Sequence, residues 1–357
     1  MEGMEMKLNL AFFQNKRVFV TGHTGFKGSW LCRALVSAGA RVTGYSLPAP
    51  DAPNLFSLAG TEENMTGVYG DIRNIHTLYN AFEAARPEIV LHLAAQPLVR
   101  ESYKEPLLTF ETNVMGTVNL LECARLVGGV RSMVNVTTDK VYLNREWCWG
   151  YRENDPLDGF DPYSNSKSCS ELVTHSYVSS FFAGTGTAVS TARAGNVIGG
   201  GDFSADRIVP DCVRAALKGR GIRVRNPHSV RPYQHVLEPV MAYLLIAQAQ
   251  WENPSLADWY NVGPGDADCV TTGDLADLFC RCWGEGSFWE NQAERNAPHE
   301  ADLLRLDCSK IRSRLGWKPR WNVARAMEET CAWSKVWRSG GDVAAEMDRE
   351  IAAYLNT

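Results

Sequence analysis

Apolar positions in the first half of the chain follow two alternating spacings. Short segments rich in apolar and β-branched residues at 17–21, 41–45, 68–69, 89–93, 133–136 and 188–192 read as strands, the first of them buried. Between them the spacing turns helical. A helix over about 29–37 ends at Gly39, Ile75, Leu78, Tyr79 and Phe82 share a face ahead of Pro87, and a long amphipathic stretch covers 110–126. Strands alternating with helices of this length predict a doubly wound parallel α/β sheet of the Rossmann type.

Beyond about residue 195 the rhythm loosens. Helices are expected over 208–217, 236–250 and 272–283, with short strands at 222–225 and 259–262 and a turn at Gly199, Gly200, Gly201 and Asp202. These pieces read as a smaller mixed α/β lobe over the carboxyl edge of the sheet, where such folds bind ligands. The division is therefore 1–195 for a cofactor-binding domain and 196–357 for a substrate lobe, the two interleaved in sequence.

Composition narrows the class. At 45% hydrophobic and 22% charged residues the 357-residue chain is an ordinary globular one, with length for one large or two modest domains. A net charge of -5 argues against nucleic acid as partner, since phosphate neutralisation needs a basic surface. The ten cysteines include no C-x-x-C pair, and Cys32, Cys123, Cys212 and Cys331 lie in apolar stretches, so no metal site or disulfide framework is expected. The acidic start, Met1 to Glu5, does not read as a signal peptide, and the apolar run at 240–247 is too short to span a bilayer. The expected setting is a reduced cytoplasm.

Three motifs bring in chemistry. Gly22, His23, Thr24, Gly25, Phe26, Lys27 and Gly28 form a G-x-x-G-x-x-G loop between a strand and a helix, the context in which backbone N–H groups and a helix N-terminus cradle a dinucleotide pyrophosphate. His23 and Lys27 are possible cations beside those phosphates. Thr137, Thr138, Asp139 and Lys140 follow the strand at 133–136. Tyr163 and Lys167 stand four apart on a helix, where the ammonium can pull the phenol down from about 10 so that it takes a proton from an alcohol. The second strand ends in Ser46, Leu47 and Pro48 without the acid that usually holds the adenosine ribose, and no Arg follows to receive a 2′-phosphate; NAD is expected rather than NADP.

Together these motifs resemble the extended short-chain dehydrogenase/reductase superfamily, and the resemblance runs along nearly the whole chain. It places Asp71 and Ile72 at the adenine and Leu93, Ala94 and Ala95 beneath the nicotinamide-side ribose. Tyr163 becomes the base at the carbon-4 hydroxyl, Thr138 its orienting partner, and Lys167 the ligand of the cofactor ribose. Within the superfamily the Asp after Thr138 is similar to the sugar-nucleotide 4,6-dehydratases, where it acts as the acid to the departing hydroxyl. Lys140 stands where the dTDP-glucose enzymes carry a Glu base, so this Lys, or a water that it positions, would take the carbon-5 proton.

Asn196 lies in an R-x-x-N-x-x-G-like element and Arg231 in an R-x-x-x-H-V element, both implied at the substrate diphosphate, with Arg207, Arg223 and Arg225 expected to assist. With His-Thr-Gly-Phe-Lys-Gly in the loop, Thr-Asp-Lys at the site and His299-Glu300-Ala301 near the end, the chain looks like the CDP-glucose 4,6-dehydratase family. That family makes CDP-4-dehydro-6-deoxyglucose for the dideoxyhexoses of bacterial surface polysaccharide such as lipopolysaccharide O-antigen, usually as a homo-oligomer. Two other readings fit the same residues: a nucleotide-sugar 4-epimerase, which needs no Asp139, and a non-catalytic NAD-sensing protein, which needs no Tyr163.

Overall fold

The computed structural model describes residues 6–51, 53–292 and 303–357; His299, Glu300 and Ala301 lie outside them. Seven strands form one parallel sheet: β1 (Arg17–Thr21), β2 (Arg41–Ser46), β3 (Thr66–Tyr69), β4 (Ile89–His92), β5 (Ser132–Val136), β6 (Ala188–Ala194) and β7 (Trp259–Val262). Their order across the sheet is 3-2-1-4-5-6-7. The reversal falls between β1 and β4, which puts the ligand crevice at the carboxyl ends of those strands.

Side-chain alternation divides the core in two. Val18, Val20, Ile89, Leu91, Val134 and Val136 face one side, against α1 (Phe26–Ser37) and α6 (Leu237–Glu252). Phe19, Val90 and Met133 face the other, against α2 (Ile75–Ala85) and α3 (Gly116–Val127). Both faces are covered, so the central strands place apolar side chains on both sides of the sheet. A third core joins α5 (Ile208–Leu217), α7 (Thr272–Trp283) and α8 (Val323–Arg338) around Ile222 and Val224. The chain closes with α9 (Val343–Leu355).

Two expectations change. The elements at 236–250 and 259–262, expected in the substrate lobe, join the sheet domain instead: β7 pairs in parallel with β6, and α6 packs on β5 and β6. α6 is buried from Leu237 to Gln250, so it carries no polar stripe to reveal which layer it joins. The helix expected over 110–126 is also interrupted. Pro106–Phe110 is α-helical, Glu111–Met115 is a π-turn, and α3 begins only at Gly116. Such π-turns concentrate at functional sites, and this one redirects Asn113.

Candidate active site

The glycine loop is a cradle that side chains would fill. Gly22 has φ +75°, and a Cβ on it would lie 2.8 Å from the Ala94 nitrogen. A Cβ on Gly28 would lie 2.1 Å from the Gly22 carbonyl oxygen, so only glycine lets α1 start this close to β1. Gly25 caps α1 without a side-chain bond, and the first turn holds no acid. That leaves N–H groups and the positive end of the helix dipole free for an anion, so the loop fits a dinucleotide pyrophosphate.

The neighbouring loop is tied to it. Thr21 Oγ1 accepts from the Leu93 and Ala94 N–H groups at 3.1 and 3.2 Å and lies 2.7 Å from His92 Nδ1. With its oxygen engaged by two amides, the Thr21 hydroxyl donates to Nδ1. His92 Nε2–H then donates to Thr117 Oγ1 at 3.1 Å. Burial holds this imidazole neutral, down to about 3. Asn113, from the π-turn, accepts from Gln96 N–H at 2.8 Å and donates to Gln96 O at 3.1 Å and Ser166 Oγ at 2.9 Å. It thereby joins the 93–96 loop to α4 (Pro162–Tyr177), the helix of Tyr163 and Lys167. The sequence reading missed Asn113, because its placement depends on the π-turn.

His23 corrects an expectation. Its ring is fully buried, 5.1 Å edge-on to Phe56 and 6.1 Å from Tyr69, and burial lowers it to about 4. It is a neutral filler under Gly44, whose Cβ would strike the ring, and not a cation for phosphate. Lys27 behaves differently. Burial and the nearby Arg207 and Lys167 charges bring it down to about 8, while Asp139 and Asp202 pull the other way. It faces the chemistry. At the acid-free end of β2, Thr24 Oγ1 sits 2.6 Å from Ser46 Oγ and donates to Leu47 O at 3.1 Å. Asp71 is held by Arg73 at 2.7 Å, while Ile72 is buried beneath Gly116.

Thr138, Asp139 and Lys140 start a 3-10 turn (Asp139–Val141) directly after β5. Thr138 Oγ1 donates to Asp139 Oδ1 at 3.0 Å. The other carboxyl oxygen, Asp139 Oδ2, is buried and has no hydrogen-bond partner among the described residues. Burial pushes this carboxyl up, opposed by Lys140, the Thr138 hydroxyl, Arg231 and Lys27. Burial of this kind favours the protonated form, the form that can donate to a leaving group.

Across from it, α4 opens with Asp161 as cap, accepting from Ser164 N–H at 3.0 Å, and Pro162 in its first turn. Lys167 Nζ donates to Val136 O at 3.0 Å, and burial brings this ammonium down to about 8. Tyr163 departs from the simple pairing expected of it. Burial pushes the phenol up to about 12, and what pulls it back is the Thr138 hydroxyl and the Arg207 charge.

The second lobe supplies cations. Arg231 is buried, with Nη1 donating to Val230 O at 3.0 Å. Arg207 lies 3.7 Å from Asp202, and Asn196 is half-buried just past β6. Arg225 is engaged by Asp206 at 2.6 Å and Asp211 at 3.6 Å, and Arg223 is exposed. Arg305, which the sequence reading passed over, follows Leu303, the bridge partner of Val230. Its Nε is buried without a partner among the described residues.

Among the described residues no helix is long and apolar enough to cross a membrane. The family model described as GDP-mannose 4,6 dehydratase matches residues 19–330. CDP-glucose 4,6-dehydratase of Salmonella typhimurium is 47% identical, the match covering 97% of this chain and 98% of that one. dTDP-glucose 4,6-dehydratase of Streptomyces antibioticus is 30% identical, covering 88% and 91%. Among solved structures, the UDP-glucose 4-epimerase of Thermus thermophilus in complex with NAD superposes with a TM-score of 0.77 at 27% identity, covering 89% of this chain and 99% of that one. The chain belongs to the GDP-mannose 4,6 dehydratase family, within the extended short-chain dehydrogenase/reductase superfamily.

Proposed function

We propose that the protein dehydrates CDP-glucose to CDP-4-dehydro-6-deoxyglucose. The observation that carries this reading is Asp139: a buried carboxyl that burial pushes toward its protonated form, one oxygen on Thr138 and the other without a partner among the described residues, beside the oxidation residues. A 4-epimerase has no use for such an acid. The close kinship with a CDP-glucose enzyme supports the substrate.

NAD held by the glycine cradle supplies the acceptor and donor for the hydrogen that leaves carbon 4 and returns to carbon 6. Tyr163, as the phenolate that the Thr138 hydroxyl and the Arg207 charge favour against its burial, takes the proton of the carbon-4 hydroxyl, passed along Thr138, and Lys167 binds the cofactor ribose. Once carbon 4 is a ketone the carbon-5 hydrogen is acidic, and Lys140 removes it, directly or through a water. Asp139 protonates the departing carbon-6 hydroxyl, so one water leaves and no net oxidation occurs. Arg207 and Arg231 neutralise the diphosphate, and Asn196 donates a hydrogen bond to it.

The reading includes a cytoplasmic setting, which the ten free cysteines suit. It also includes a homo-oligomer. Leu107, Met115, Leu126, Leu172 and Phe181 are exposed on the neighbouring 106–127 and 162–182 helices, an apolar face suited to a second copy. The deciding experiment incubates pure protein and NAD with CDP-, dTDP-, UDP- and GDP-hexoses and weighs the products. Loss of one water from CDP-glucose is expected. An isomer of unchanged mass would make it an epimerase, and no turnover of any sugar would favour a sensing role.

A further inference from the structure

Glu171 is fully buried on α4, one turn beyond Lys167 and two beyond Tyr163, so the three share a helix face. Nothing in the proposed chemistry uses it. Its carboxylate nevertheless accepts from three buried side chains. Thr137 Oγ1 donates to Oε1 at 2.5 Å, while Thr191 Oγ1 and Arg193 Nη2 donate to Oε2 at 2.7 and 2.9 Å. His175 Nε2 lies 3.3 Å from the same oxygen. Arg193, itself fully buried, donates onward through Nη1 to Tyr142 Oη at 2.9 Å and Glu153 O at 3.0 Å.

These bonds have a geometric consequence. Thr137 immediately precedes Thr138 and Asp139, and its own N–H is tied to Ala192 O of β6 at 2.9 Å. Glu171 thus joins three elements: the strand end bearing the acid, β6, and the helix bearing the base. We infer that Glu171 is a positioning residue that fixes Thr138 and Asp139 against Tyr163 and Lys167, with its charge also serving the Lys167 ammonium. The inference rests on the proposed dehydration and assigns that reaction a residue outside its contact set.

The charges support this. Despite its burial, Glu171 is held ionised, down to about 2, by Arg193, His175 and Thr137. It is the group that raises Lys167 against the cost of burial. The other titratable groups facing Lys167 are Lys27 from α1 and His92 from β4, the latter held neutral; those facing Glu171 are Arg193 from β6, His175 and Tyr142.

Three variants and a control test the inference. Glu171→Gln keeps the shape and loses the charge. Thr137→Val keeps the charge and cuts the tie to the strand end. Glu171→Asp keeps the charge at a shorter reach. Thr174→Val is the control, since Thr174 accepts from Asn135 Nδ2 at 2.9 Å and so links the same helix and strand without touching Glu171. In Glu171→Gln and Thr137→Val, kcat should fall at least ~10-fold with KM within about twofold, as expected when reacting groups are misplaced. The alkaline limb of the pH profile should move to lower pH in Glu171→Gln alone, and Glu171→Asp should restore it.

Hydrogen exchange over 136–141, measured without substrate, should quicken in Glu171→Gln and Thr137→Val and not in the control. Profiles and exchange matching Thr174→Val would overturn the inference. If Glu171→Gln does not fold, Thr137→Val decides by kcat and exchange against the control. If the parent enzyme dehydrates no nucleotide sugar, the functional reading fails, and the exchange arm still decides whether Glu171 holds the strand end.

Discussion

At the scale of single residues, the site separates groups by what burial does to their charge. Asp139 and Tyr163 are pushed toward their protonated forms, while Lys27 and Lys167 are brought down to about 8. Asp139→Asn should therefore keep the local shape and remove the transferable proton. We expect loss of water to slow by 10²–10⁴-fold, the usual worth of a general acid, while carbon-4 oxidation continues and reduced cofactor builds up in a single turnover; dehydration at the parent rate would remove Asp139 from the mechanism. Arg231→Ala should act on binding instead, since a charge-assisted bond to phosphate is worth about 1.5–3 kcal/mol. A raised KM with a smaller change in kcat is the expected reading, and unchanged affinity for CDP would place the diphosphate elsewhere. Motif spacing made these residues legible. It could not reveal the neutral state of His23 or the clamp on Glu171, because both depend on neighbours distant in sequence, Phe56 and Tyr69 for one and Arg193 for the other.

At the scale of elements, close backbone approach and one irregular turn do most of the placing. Gly28→Ala should force α1 away from Gly22, because the new methyl would sit 2.1 Å from a carbonyl oxygen. Weakened NAD binding, read by cofactor titration of folded protein, is the expected outcome, and parent-like affinity would show that the cradle tolerates a side chain. Asn113→Ala should strand the half-buried Gln96 amide and carbonyl, at no more than about 1–3 kcal/mol for each, so the urea midpoint should fall together with activity. Strand and helix positions were readable because the central strands place apolar residues on both faces and flanking helices such as α2 carry one apolar stripe. The π-turn was not, since Glu111 to Met115 fit a helical spacing as well as their neighbours do. The layer of α6 was equally hidden, because a helix buried on every side has no face to orient it.

At the scale of the whole molecule, α6 links the sheet to the C-terminal helices through one buried acid. Glu238 Oε1 accepts from the Arg320 and Trp321 N–H groups at 2.8 and 2.7 Å, and Oε2 meets Tyr354 Oη of α9 at 2.7 Å. Burial raises this carboxyl to about 7, with those donors opposing the shift. A folded pKa above the unfolded one means that folding favours the protonated form. The contribution is therefore fully present below the ordinary Glu value of about 4.3 and is lost as pH rises through about 7. Glu350, buried beside His235 on the same side of the molecule and likewise raised, acts in the same direction. Glu238→Gln mimics the protonated acid: its carbonyl oxygen can keep both amide bonds and its NH₂ can donate to Tyr354. The variant should match the parent in denaturant unfolding near pH 5 and exceed it near pH 8 by on the order of 2 kcal/mol. Equal stabilities at both pH values would mean that Glu238 titrates near its ordinary value inside the fold. A variant weaker at pH 8 would mean that the carboxylate is the form α6 and α9 are built around.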